Sequence, residues 1–561
     1  MGKDRLSGGI PTNKSATHKF FINKTEDRPN VLLLMTDQQR FDTINAGGYD
    51  FMHTPNLDRL ANEGCLYSHA YTPNPICLAA RHNLITGLTA RHHRFPDNVH
   101  EVTTRTDLPT LPRILSDNGY ETRAIGKMHF LPARRHNGFD KMELMEELPN
   151  FREQDEYAMY LKEQGLGHIQ NIHGVRNLLY MLPQRSLIPE EHHGTFWVGR
   201  RSADFIRTNN GRHPFFLWAS WIAPHPPFDI IERFAGMYRN VDLPEPHIST
   251  TPTAAITEEN RTLGDLPTPE YVRRMREVYY AAISMVDESV GEVLDALEET
   301  GQLDNTIIIF TSDHGELLGD HGLYQKWQPY DSCARIPFII RYPKSIAPGS
   351  VRDGFVDLND ILPTVLDAVG LDYPADFPLA GESLLTENPA RNRNWQYTEY
   401  GEGNRRWISI RSKAYKYNYY YGGGFDQLFD MQNDPHETTN LLADDITAEA
   451  ESAKNEHRQK LIEYEKEIGL EGYVDRDDLK VGEPYQPFPQ RNEAFPRYPL
   501  KLTDEDEKAQ LNTLHDEILV AIAPEPLVKL SELDMKAWQE KLKIPQEIVD
   551  YMLAEDAKRH E

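Results

Sequence analysis

The sequence predicts an α/β protein. A large, mostly parallel sheet sandwiched by helices is expected, followed by a smaller C-terminal antiparallel-sheet subdomain. Three observations carry this expectation. Short continuous apolar runs alternate with stretches of helical spacing, the pattern of strands buried on both faces. Several of those runs end in polar, chemically capable residues, where parallel sheets place their ligand sites. Beyond about residue 390, alternating aromatic and polar residues surround a Gly-Gly-Gly turn, a hairpin signature.

Taken in order, residues 1–28 are polar, lack the apolar core of a secretion signal, and are expected to be flexible. Cytoplasmic placement, or periplasmic placement with a leader removed, both fit that beginning. The main α/β domain is assigned to residues 29–390. Val31 to Met35 is the first buried strand and runs into Thr36-Asp37-Gln38. Residues 54–64 read as a short helix stopped by Gly64. Residues 108–130 read as a helix, a stop at Gly119, then a strand reaching Gly126-Lys127. "PFFLWASWIAPHPPF" is another buried strand, with a proline-rich exit that carries His225. The strongest helical signal spans Tyr271 to Glu299, with Val286, Val290, Val293, Leu294 and Leu297 on one face. Ile307 to Phe310 then forms a strand that empties into Asp313-His314. The antiparallel subdomain is assigned to 391–442. Residues 443–561, charged, helical and proline-rich, read as an arm packed on the body or on a second copy, giving a homo-oligomer.

The formal net charge of −27 argues against nucleic acid or an anionic membrane as partner. An anionic substrate would need a locally basic site. No run approaches the roughly 20 apolar residues of a membrane span. Three cysteines, Cys65, Cys77 and Cys333, make no disulfide framework.

Asp37, Gln38, Asp313 and His314 form an oxygen-rich set at the ends of two central strands. Such a set suits a divalent cation, calcium first and manganese second. The plain alternative is a helix-capping Asp37 and a buried, hydrogen-bonded His314. Arg81, Lys127, His129, His225 and Lys326 are basic groups near strand ends or turns, and converging they would neutralise an oxyanion ester. Cys77 alone reads equally as a core thiol or as a thiolate nucleophile.

"CLAARHNLITG" (77–87) resembles the type I sulfatase signature, in which the cysteine is converted to formylglycine. The resemblance extends to "PNVLLLMTDQQR" (29–40), "GKMH" (126–129), "APHPPF" (223–228) and "TSDHGELLGDHGLYQK" (311–326). It continues through "DILPTVLDAVG" (360–370) and "LFDMQNDPHETTNL" (428–441), all in the family's order. The family belongs to the alkaline phosphatase-like superfamily, whose fold is then expected.

The resemblance implies a role for each residue. Cys77, as hydrated formylglycine, attacks sulfur and forms a covalent sulfo-enzyme, with Asp313 helping to deprotonate it and Arg81 holding it in place. Asp37, Gln38, Asp313 and His314 bind the cation. Lys127 and Lys326 neutralise the sulfate, His225 protonates the leaving alcohol with Lys326 assisting, and His129 takes the proton that expels sulfate. A formylglycine-generating or anaerobic maturation enzyme is an implied partner. Three positions depart from the common pattern: Gln38, His314 and Ala79. The first two resemble the branch holding phosphonate monoester hydrolases and carbohydrate or choline sulfatases, and Ala79 fits the oxygen-independent maturation system. The expected activity is removal of sulfate from a sulfated carbohydrate, with a phosphonate monoester or phosphodiester hydrolase as the alternative. Long insertions at 88–107 and 130–213 offer His92, His93, His192 and Trp197 as candidate sugar contacts.

Overall fold

The computed structural model describes residues 28–98, 105–149, 151–176, 180–261, 268–385 and 393–486. It also describes 516–518, 520–521, 539 and 546–560. The flexible segment expected over 1–28 lies, apart from Arg28, outside the described residues. So does the proline-rich passage beyond residue 486.

Among the described residues, ten strands occur in the main body: β1 (Asn30–Asp37), β2 (Cys65–Tyr71), β3 (Glu121–Gly126), β4 (Lys141–Leu144), β5 (Pro183–Arg185), β6 (Phe215–Pro224), β7 (Phe228–Ile230), β8 (Thr306–Ser312), β9 (Phe338–Arg341) and β10 (Ser350–Asp357). Eight of them form one sheet in the order β10-β2-β9-β8-β1-β6-β3-β4, while β5 and β7 pair separately. All neighbours in the large sheet run parallel except β9, which is antiparallel to both β8 and β2. Every residue of β1 and β8 is buried. Successive side chains of a strand point to opposite faces. Val31, Leu33, Ile307 and Ile309 accordingly enter one core, and Leu32, Leu34, Ile308 and Phe310 the other.

Helices cover both faces. On the first lie α2 (Cys77–Thr86), α3 (Leu111–Asp117) and α7 (Ile361–Val369). On the second lie α1 (Pro55–Glu63), α4 (Glu156–Glu163), α5 (Gly194–Asn209) and α6 (Pro269–Glu299). Thr268 caps α6, its side chain accepting from the Tyr271 amide, and Pro269 takes the first helical position. Val286, Val290, Val293 and Leu294 of α6 then pack under the sheet.

The smaller sheet is an antiparallel meander of β11 (Gln396–Tyr400), β12 (Trp407–Arg411), β13 (Tyr415–Tyr420) and β14 (Phe425–Asp430). Helix α8 (Ala448–Glu467) lays Leu461 and Ile462 against Ile408, Ile410 and Tyr417, so this part of the 443–561 stretch shares the small sheet's core. A buried charge group ties this sheet to the body: Asp331 accepts from Tyr71, Arg411 and Lys416. Farther along the chain, Glu517 accepts from the Gln170 and Asn171 amides at 2.8 and 3.2 Å. Among the described residues, no helix is long and apolar enough to cross a membrane.

Candidate active site

The carboxyl edge of the sheet gathers the chemistry. Thr36 of β1 pairs with Ser312 of β8, so Asp37 and Asp313 leave the sheet side by side. The Gln38 and His314 amides both donate to Asp313 Oδ1 at 3.0 Å. Gln38 adopts a left-handed backbone, φ 67°, costly for a non-glycine residue and characteristic of functional turns. At the end of β3, Gly126 has φ +99°, and a Cβ there would lie 1.9 Å from the Ser220 carbonyl oxygen. Only glycine lets β3 come this close to β6, and the approach delivers Lys127 to the edge. His225 follows directly after β6.

Helix α2 begins at Cys77, and all ten of its residues are buried. Cys77 and Arg81, four residues apart, share one helix face. Cys77 Sγ lies 3.2 Å from His314 Nε2 and 3.7 Å from Asp37 Oδ1. Arg81 reaches Asp37 Oδ2 at 3.2 Å, Asp313 Oδ2 at 3.3 Å and Ser220 Oγ at 3.0 Å. Lys127 Nζ sits 2.7 Å from Asp37 Oδ2. Lys326 Nζ contacts Gln38 Oε1 at 2.5 Å and His225 Nε2 at 2.7 Å. The structure therefore brings Asp37, Gln38, Cys77, Arg81, Lys127, His225, Asp313, His314 and Lys326 into one contact network. His129, with φ 54°, is fixed through its main-chain N–H, which donates to Glu146; its ring Nδ1 is buried and has no partner.

The electrostatics are uneven. Burial favours the neutral form of Asp37, but Lys127, His225, Arg81 and His314 hold its carboxyl well below the usual range. Burial and the neighbouring Asp37 push Asp313 up to about 7. Burial and Asp37 also oppose ionisation of the Cys77 thiol, yet Lys326, Lys127 and His314 bring it below its ordinary value. Burial and then Lys127 hold His129 at about 4, leaving its imidazole neutral.

Ligand atoms of Asp37, Cys77, Asp313 and His314 all lie within 4.8 Å of one another. Two buried carboxylates held this close, one of them forced toward protonation, are the donor set a divalent cation stabilises. His314 Nδ1 donates to the Gly315 carbonyl at 3.0 Å, which leaves Nε2 facing the cluster. The Gln38 amide is held from both ends, donating to Glu316 and accepting from Lys326.

Other candidates fall elsewhere. The His93 ring stacks on Phe95, His192 bonds the Tyr160 hydroxyl, His92 pairs with Thr89, and Trp197 packs in the second core. Conversely, the structure supplies residues that the sequence did not single out. Glu147 Oε2 lies 2.8 Å from Lys127 Nζ, and its Oε1 lies 2.6 Å from Arg176 Nη2. Register was the only signal for it: Gly126 of β3 pairs with Leu144 of β4, so Glu147 leaves the same sheet edge beside Lys127.

Residues 29–371 match the Sulfatase family, and residues 319–467 match the family described as N-sulphoglucosamine sulphohydrolase, C-terminal. The chain belongs to the sulfatase family. This sulfatase is similar to an arylsulfatase of Clostridium perfringens, 32% identical over 479 residues that cover 82% of this chain and 98% of that one. Among solved structures it is similar to an enzyme in complex with its substrate D-glucosamine-2-N,6-O-disulfate. That similarity has 26% identity and a TM-score of 0.64, and covers 78% of this chain and 98% of that one. It shares its fold with a phosphonate monoester hydrolase of Agrobacterium radiobacter, at 24% identity and TM-score 0.66, over 80% of this chain and 98% of that one. The sulfatase is thus a sulfuric ester hydrolase on the alkaline phosphatase-like fold.

Proposed function

We propose that this sulfatase removes sulfate from a sulfated carbohydrate, with Cys77 converted to formylglycine and a divalent cation, calcium first and manganese second, beside it. One observation carries the reading. The residue 77 side chain stands inside a buried set of two carboxylates and an imidazole, ringed by Arg81, Lys127 and Lys326. A plain thiolate hydrolase explains neither the paired carboxylates nor the lysines. The carbohydrate assignment is supported by the related enzyme solved with a glucosamine disulfate.

When present, the formylglycine supplies a geminal hydroxyl as nucleophile, and the cation polarises the ester oxygens. Asp37, Asp313, His314 and Gln38 would hold the cation. Arg81 locks both carboxylates in place beside residue 77. Lys127 and Lys326 oppose the negative charge of the sulfate, an effect that burial strengthens. His225, in contact with Lys326, protonates the leaving oxygen. His129, neutral and with a free Nδ1, accepts the proton during sulfate release.

A mass measurement of the peptide spanning Cys77, paired with rates on sulfated saccharides, an aryl sulfate and a phenyl phosphonate monoester, tests this. The expected result is loss of the thiol sulfur with gain of an aldehyde, and sulfate release from a saccharide faster with calcium than with manganese. An unmodified Cys77 in fully active enzyme would sink the formylglycine reading. Preference for the phosphonate ester would reassign the substrate class.

A further inference from the structure

We infer that the cavity between the two sheets is a second ligand site, which takes a small hydroxylated organic cation of the amino-sugar kind. None of the residues assigned to ester hydrolysis lines it. Its chemistry is therefore independent of whether Cys77 is modified.

The cavity has a volume of about 760 Å³, within the range of roughly 300–1,000 Å³ usual for small-molecule pockets. It lies between β10, at the edge of the large sheet, and β11, at the edge of the small one, with Tyr464 of α8 beside them. The two edge strands do not pair, which leaves room between their side chains.

Two buried amides stand in the wall. Asn359 follows β10 by two residues and Gln396 opens β11; they are 3% and 2% exposed. Each keeps an acceptor oxygen without a partner, Asn359 Oδ1 and Gln396 Oε1. The Gln396 amide is oriented by its other end, since Nε2 donates to Asp357 Oδ2 at 3.1 Å and to the Tyr397 carbonyl at 2.9 Å. Buried acceptors are normally paired, by protein, water or ligand. Two free carbonyl oxygens in one wall call for a partner that donates.

Charge narrows the choice. Asp353, Asp357, Asp360, Glu382 and Glu399 line the cavity against Arg352 and Arg393, five carboxylates to two guanidinium groups. Both arginines are already engaged. Arg393 reaches Asp357 at 2.9 Å and Asp360 at 2.7 Å, and Arg352 donates to the Leu384 carbonyl at 2.7 Å. Burial lifts Asp357 above its ordinary range, with Arg393 opposing the rise and Asp360 adding to it. Glu399 is raised too, chiefly by burial, although Arg406 opposes it. These carboxylates are under-compensated, so an anion would be repelled and a protonated amine held.

The rest of the wall is aromatic. Tyr397 and Tyr464 stack with ring centroids 6.0 Å apart and planes 11° from parallel, and the partly exposed Trp395 precedes Gln396 in the chain. Aromatic faces attract ammonium groups. An ammonium suits the rings and carboxylates, hydroxyls suit the two carbonyl oxygens, and an amino sugar carries both.

Isothermal titration calorimetry of the full chain with glucosamine and with glucose tests the site. Glucosamine should bind saturably at one site, and glucose, which lacks the charge, about tenfold more weakly or worse. Asn359→Leu and Trp395→Ala should each weaken glucosamine about tenfold. Asn359→Leu should also melt no lower than wild type, because it replaces an unpaired buried polar group by an apolar one of similar shape. Equal affinity for the two sugars would overturn the cation assignment. Binding undiminished in both variants would put the ligand elsewhere, and no saturable heat would leave the cavity to water; either result overturns the proposal. If Asn359→Leu does not fold, Trp395→Ala, at a partly exposed position, carries the same comparison, and undiminished binding there overturns it.

Discussion

The triplet Asp-His-Gly occurs twice within ten residues, as 313–315 and 320–322, and the two copies have opposite fates. Asp313 follows the end of β8 against a second buried carboxylate and is pushed up to about 7, chiefly by burial and Asp37. Asp320 is equally buried but lies between Arg40, at 2.7 Å, and Arg276, at 2.9 Å. Burial alone would raise it, yet those two guanidinium groups hold it at about 2. The histidines diverge as well. His314 is raised despite burial, by Asp313 and Cys77, whereas burial takes His321 down to about 4, and its ring stacks on Tyr330 at 4.0 Å. The same three residues make a strained cluster of the candidate site where charge is left unbalanced and a structural clamp where it is matched. What differs is the strand end beside the first copy and the two arginines around the second.

Substitutions along the two triplets sharpen that contrast. The largest effect belongs to Asp313→Asn, which should lower kcat on an aryl sulfate by ~10⁴-fold while leaving the folded circular dichroism spectrum intact. A loss under tenfold would place the reacting centre elsewhere. Asp320→Asn should do the reverse. Breaking a buried pair typically costs about 3–5 kcal/mol, so its denaturant midpoint should fall sharply while the rate per folded molecule stays within a few-fold.

Gly315→Ala comes next. Its Cβ would lie 2.1 Å from the Ser332 carbonyl oxygen. Since backbone must move, a loss of about 3 kcal/mol is expected, at the upper end for overpacking, together with lost activity. Calorimetry on the purified variant checks the first part.

A pH series follows. Asp320 has its pKa depressed on folding, so its contribution is complete above its unfolded value of about 3.9 and vanishes as pH falls through about 2. The stability gap between wild type and Asp320→Asn should therefore shrink by about 2–3 kcal/mol between pH 5 and pH 2. A gap independent of pH would mean that the two arginines do not set its charge. The smallest effect is Gly322→Ala. Its φ is +69° but nothing lies closer than 3.6 Å, so only the left-handed penalty of about 1 kcal/mol applies.

These contrasts also show what could be read from the chain. Asp37 and Asp313 were legible because each follows a continuous apolar run, and the four-residue step from Cys77 to Arg81 is a helix repeat. Glu147 follows a strand too, but β4 is an edge strand with Lys141 exposed and Glu143 inside it, so no apolar run announces it. Asp320 carries the same local signature as Asp313; its partners come from Arg40 and Arg276, which no local pattern brings near. The antiparallel direction of β9 was likewise hidden, since four buried residues, Phe338 to Arg341, carry no mark of direction. Strand ends and helix repeats are local properties, whereas salt-bridge partners are chosen by topology.

The bond from Glu517 to the Gln170 and Asn171 amides has a consequence in time. That loop leads to Arg176 and so to the outer side of the candidate active site, yet its anchor lies 346 residues later in the chain. At translation speeds of about 5–20 residues per second, the anchor emerges roughly 20–70 s after the loop it holds. A nascent chain can therefore possess every signature residue while one wall of its candidate active site still waits to be fastened.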